Sequence, residues 1–133
     1  GAIQRFKADR KPRVMALLEV WISDDNAIVR DKLRRTTVAR LVPVLSPIIQ
    51  QGQEEGVFRT GAPAATARIL VGLLESFSDI AIEMLLARRA GAIGFADVEE
   101  AVAANTQAWE RILGLSPGSL TLIDRDSLLV WFG

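Results

Sequence analysis

Glu75, Asp79 and Glu83 recur at i, i+4 and i+8 in "ESFSDIAIE", a spacing that aligns three carboxylates on one face of a helix. Such a row could hold a metal ion or a cationic ligand. On an ordinary helix it is the solvated stripe, and it reads that way here. The chain has no His, no Cys and no Tyr, so the usual neutral-pH general base, the thiol nucleophile and the common zinc ligands are missing. The two glycines of "GAIGF" do not follow a strand, as those of a phosphate-cradling loop would. No catalytic residue, metal ligand or cofactor is therefore assigned, and an enzyme on a helical scaffold is the least favoured reading.

Two basic clusters, Arg5, Lys7, Arg10, Lys11 and Arg13, then Arg30, Lys32, Arg34 and Arg35, could touch nucleic acid. Sixteen basic residues are balanced by sixteen acidic ones, and no aromatic residues interleave the clusters, so both read as solvated faces. The chain by itself is not expected to hold DNA. Met15, Trp21, Phe77 and Met84 could line a ligand cavity; they would equally fill a core. Hydrophobic residues make up 50 %, and the 10 glycines lift the apolar share to about 57 %, above the roughly 45–50 % usual for soluble domains. Surplus apolar surface calls for a partner or a cavity.

With 133 residues the chain is expected to form a single domain, 1–133, around one core. No membrane contact is expected, because Glu75, Asp79 and Glu83 interrupt the longest apolar run. The absence of Cys and of a recognisable signal peptide makes the cytoplasm the expected compartment. The opening "GAIQRF" resembles a cloning remnant followed by mid-protein sequence.

Spacings of three and four recur and no strand-length alternation appears, so the fold class is all-α, an antiparallel helical bundle with helices near 10–23, 27–55, 63–89 and 97–113. Val14, Leu17, Leu18 and Trp21, widened by Met15 and Ile22, form the first stripe. "SDD" at 23–25 offers caps for the second element, where Val38, Leu41, Leu45 and Ile48 keep the spacing. Pro43 and Pro47 require that element either to kink or to be two helices. Gly56 suits the left-handed position that ends a helix, and Gly52 leaves room for Val57 or Phe58 to fold back over Ile48 and Ile49. The third helix carries two apolar stripes, one through Ile69, Leu73, Phe77, Ile80, Met84 and Ala87, the other through Leu70, Leu74, Ala81 and Leu85, and is expected to be covered from two sides. Asp97 and Glu100 look like a capping pair for the fourth, whose Ala101, Ala104 and Ala108 permit close approach of another helix. Asp124 or Asp126 would cap a short terminal helix ending near Phe132.

Residues 41–77, "LVPVLSPIIQQGQEEGVFRTGAPAATARILVGLLESF", resemble a segment of the C-terminal domains of tetracycline-repressor (TetR) family regulators. There a long helix ends in "G-x-x-E-G-x-F", matched by Gly52, Glu55, Gly56 and Phe58, and a proline, here Pro63, opens the next. "WERILGLSPGSL" resembles the ends of many such chains. Ala62 departs from the pattern, since the family often has a capping Asp before the proline. The N-terminal helix-turn-helix domain is also absent, so an isolated effector-binding and dimerisation domain is expected.

The resemblance implies a homodimer that contacts DNA only through that missing head and lets go when a small molecule enters the C-terminal domain. Such release requires the ligand to prefer one spacing of the two heads. An apolar effector is expected against Met15, Leu18, Trp21, Leu41, Val44, Leu45, Ile48, Phe77, Ile80 and Met84, between the first helix, the proline-containing stretch and the third helix. The dimer is expected to pair the third and fourth helices through Leu74, Ala81, Leu85, Ala101, Ala108 and Ile112. The alternative is an oligomerisation or adaptor module with a filled core and no ligand.

Overall fold

A computed structural model describes the backbone of residues 2–133 and the side chains of residues 12–133. The elements are α1 (Ala2–Trp21), a short 3-10 turn (Asp24–Asn26), α2 (Ala27–Glu54), α3 (Pro63–Arg89), α4 (Phe95–Leu113) and α5 (Arg125–Phe132), with no strand among the described residues. The all-α reading therefore holds, and α2, α3 and α4 lie close to their expected spans; α1 instead begins at Ala2, well before residue 10, so Pro12 lies inside the helix rather than in its first turn.

Both prolines of α2 lie inside one continuous helix. Each removes a donor to the carbonyl four residues back, at Ala39 and Pro43. Pro43, Pro47 and Ala39 all face solvent, so water can satisfy the freed carbonyls, while the opposite side of α2 packs along α3. Of the two alternatives, the single helix is the observed one.

α2 ends as the glycine spacing suggests. Gly56 adopts φ +75°, with Val57 N–H donating to Gly52 O (2.8 Å) and Gly56 N–H to Gln53 O (3.1 Å), the paired bonds that close a helix on a left-handed residue. A Cβ at Gly52 would collide with the Phe58 ring, which packs on the Ile49 core; Val57 is exposed. Gln53 Nε2 donates to Thr60 O (2.9 Å) and Gly61 O (2.7 Å), and Arg59 N–H to Leu113 O (2.9 Å), so the turn is tied to both α2 and α4. Ala62 starts α3 without a side-chain cap.

Two starts differ from expectation. Asn26, rather than a residue of "SDD", precedes α2; it makes no capping bond, and its side-chain amide donates to Val20 O (2.7 Å) at the end of α1. α4 begins at Phe95, because Asp97 receives the Gly94 N–H (2.8 Å) and so sits in the first turn instead of ahead of it. Asp124 caps α5 by accepting from Ser127 N–H at 2.8 Å.

The interior has two centres. Met15, Met84, Leu85, Val98, Val102, Leu128 and Phe132 form one, which α5 completes. Ile49, Ala67, Leu70 and Leu113 form the other. Single residues of two expected stripes lie outside the core. In α1, Met15 is buried while Leu17 is 69 % exposed, because α3 and α5 cover only the Met15 side. In α2, Ile49 is 1 % exposed and Ile48 54 %; Val38, Val42, Leu45 and Ile49 satisfy the three-and-four spacing as well as the expected set.

Candidate functional site

A cavity of about 470 Å³ lies where α1, α3 and α5 meet, lined among the described residues by Pro12, Met15, Leu85, Arg88, Arg89, Trp131 and Gly133. Each helix contributes for a local reason. α1 presents Met15 one turn after Pro12; α3 ends in two arginines, a favourable place for cations near the helix carboxyl end; α5 carries Trp131 beside the buried Phe132. Arg88 is fixed, its Nε donating to Phe132 O (2.7 Å) and a terminal nitrogen to Ile93 O (3.1 Å). Arg89 pairs with Glu19 of α1 at 3.0 Å. The result is an apolar cleft with guanidinium groups at its edge, of the size and makeup of small-molecule sites.

The residues expected to line a pocket are divided between regions. Met15 lines this cavity, and Leu18, Phe77 and Met84 lie in the core around it. Leu45 packs in the Ile49 core, Leu41 is half-buried on α2, and Val44, Ile48 and Ile80 are exposed. Trp21 lines a separate recess of about 160 Å³ between the start of α2 and α3, with Arg30, Arg34, Glu75 and Asp79 around it. The structure thus does not gather the ten residues into one site. Arg88, Arg89 and Trp131 were missed because the cavity depends on α1 meeting α5, and no local spacing reports a contact between the two ends of a chain.

Among the residues expected at a dimer face, Leu74 is 44 % exposed and Ala108 half-buried. Ala81 and Ala101 lie partly against the Met84 core and Ile112 against the Ile49 core. Leu85 is buried within the chain itself, where it also lines the cavity.

The carboxylate row is not uniformly solvated. Asp79 forms an ion pair with Arg34, Glu75 is half-buried beside the same recess, and Glu83 alone of the three is exposed. Arg35 pairs with Asp31 at 2.7 Å, and Arg30 donates to Trp21 O and Ser23 O, so most of the second basic cluster serves the fold. Lys32 and Arg13 are exposed; Arg5, Lys7, Arg10 and Lys11 lie outside the residues whose side chains are described. Among the described residues no cluster of three metal-ligating groups occurs, and no helix is long and apolar enough to cross a membrane.

The described residues form a helical bundle with an apolar cleft. The family model "Tetracyclin repressor-like, C-terminal domain" matches residues 18–88, more than half of the 133 residues, and the chain belongs to that family. The match covers the end of α1, all of α2, and α3 as far as Arg88. No curated protein and no solved structure gives a match.

Proposed function

We propose that this chain is the ligand-sensing and homodimerisation domain of a tetracycline-repressor-like transcriptional regulator. In this reading a small apolar molecule enters the cleft between α1, α3 and α5, and DNA is contacted only through a helix-turn-helix domain outside this chain. The cleft is the observation that carries it: about 470 Å³ bounded by three different helices, so an occupant that prefers one separation of those helices shifts their relative placement. Met15 is an unbranched, adaptable wall, suited to ligands of more than one shape. The second copy would pack on α3 and α4, with Leu74 and Ala108 keeping accessible surface for it. A soluble regulator of this kind would work in the cytoplasm.

Anilinonaphthalene sulfonate, an apolar probe with an anionic group, tests the cleft. It is expected to bind and to quench emission from the protein, with the quenching lost in Trp131→Phe and binding lost in Met15→Trp, which fills the space. Absence of binding, or binding unaffected by Met15→Trp in a still-folded protein, would favour the adaptor with no ligand. For the dimer, sedimentation at micromolar concentration should give two copies, and Leu74→Glu should give one; monomeric wild-type protein would refute that part.

A further inference from the structure

Residues 115–123 pass beside α4, where Leu120 N–H donates to Glu110. Leu115 and Leu120 anchor the crossing in the Ile49 core and Ile123 anchors it in the Met84 core. Between them a turn lifts the chain, with Ser119 N–H donating to Ser116 O (3.1 Å) and Gly118 at φ +86°. Beneath lies a second cavity, of about 260 Å³, lined by Thr106, Gln107 and Glu110 of α4 and by Pro117, Leu122 and Ile123 of the crossing, among others.

Glu110 is 3 % exposed, the single buried carboxylate among the described residues. One of its oxygens accepts from Leu120 N–H at 3.1 Å. The other has no hydrogen-bond partner among the described residues, and the side chain makes no ion pair with one of them. Trp109 Nε1 is the one fully enclosed, unpartnered side-chain polar atom described, so the second Glu110 oxygen is not sealed in apolar packing but opens onto the space beside it. Glu110 also lines a smaller cavity of about 140 Å³ with Arg111, yet Arg111 is exposed and forms no ion pair with it. Holding the crossing to α4 needs one acceptor, which a neutral Gln would supply. The oxygen left over faces the cavity with its acceptor capacity unused, and a cationic donor is the partner that a carboxylate holds most strongly.

We propose that this chamber binds a small organic cation, a primary ammonium or guanidinium on a short carbon body, with its head on the free Glu110 oxygen and its body against Pro117, Leu122 and Ile123. The volume, just below the usual range of about 300–1,000 Å³ for ligand sites, favours a small molecule. This site is separate from the cleft between α1, α3 and α5 and does not depend on it.

Calorimetric titration with butylamine and butylguanidine, using butanol and butyrate as controls, tests the assignment. Both cations should bind and neither control should. Glu110→Gln keeps an acceptor for Leu120 N–H while removing the charge, and should weaken cation binding at least about tenfold, since charge-assisted bonds are roughly twice as strong as neutral ones. The Leu120 amide resonance and the melting temperature report whether the crossing stays in place in that variant. Arg111→Gln should leave binding intact. Failure of both cations to bind the wild-type protein, or equal binding to wild type and a folded Glu110→Gln, would overturn the proposal and leave Glu110 as a clamp for the crossing alone.

Discussion

At one end of α3, Ile49, Ala67, Leu70 and Leu113 close over one another, with Phe58 pressed against the bare backbone of Gly52; at the other, Met15, Met84 and Leu85 meet Leu128 and Phe132 beside an open cleft. The first centre uses branched and small side chains that fit one way. The second uses methionines, whose rotatable bonds let them refill a changing space, and its far wall is a helix of 8 residues. On the proposed reading, a domain that holds its shape while admitting a ligand benefits from both, a fixed end and an adaptable one.

That contrast predicts unequal costs for similar truncations. Ile49→Ala removes a side chain that is 1 % exposed and hemmed in on all sides, and should cost about 3–5 kcal/mol, the upper part of the range for such changes. Met84→Ala, in the centre that adjoins the cleft, should cost about 2–3 kcal/mol, because neighbours relax into the space more easily. Urea unfolding of both variants measures the difference. Equal losses would mean that the two centres are packed alike.

Glycines sharpen the same comparison. At Gly52 an added Cβ collides with the Phe58 ring, and overpacking of about 1–3 kcal/mol outweighs the roughly 1 kcal/mol that Ala contributes inside a helix. Gly52→Ala should therefore destabilise. Gly72, in the middle of α3 with no atom near its missing Cβ, should behave oppositely, Gly72→Ala stabilising by about 0.5–1 kcal/mol. Adding Phe58→Leu to Gly52→Ala should recover part of the loss if the ring is the obstacle. No recovery would place the strain elsewhere.

How far these features were legible in the sequence follows from how local their causes are. The helix end at Gly56 depends on residues within one turn, and its glycine spacing exposed both the left-handed stop and the space at Gly52. The spans of α2, α3 and α4 followed from periodicity, whereas the early start of α1 did not. Which face is buried did not, because the spacing of three and four admits Ile48 or Ile49 equally until α3 decides between them. Pro43 and Pro47 marked a disturbance without revealing that solvent would absorb it. The cleft and the chamber over Glu110 were illegible for a common reason. Each is closed by the last part of the chain folding back onto helices remote in sequence, Trp131 against Met15 in one case and Leu120 over Glu110 in the other.

The most local expected effect concerns the adaptable end alone. Asp124 caps α5 through Ser127 N–H and also accepts from Ser127 Oγ, and losing a cap of this kind typically costs about 1 kcal/mol, so Asp124→Ala should lower global stability by about that much. Its consequence should be local. α5 has only 8 residues and is too short to persist without its cap and its packing, so Leu128 and Phe132 should leave the core more often. Hydrogen exchange should then quicken at the amides of α5 while those of Ile49 and Leu70 keep their protection, since neither of those residues packs against α5. Quickening at both ends in equal measure would show that the domain opens as one cooperative unit, and that the division into a fixed and an adaptable end has no energetic meaning.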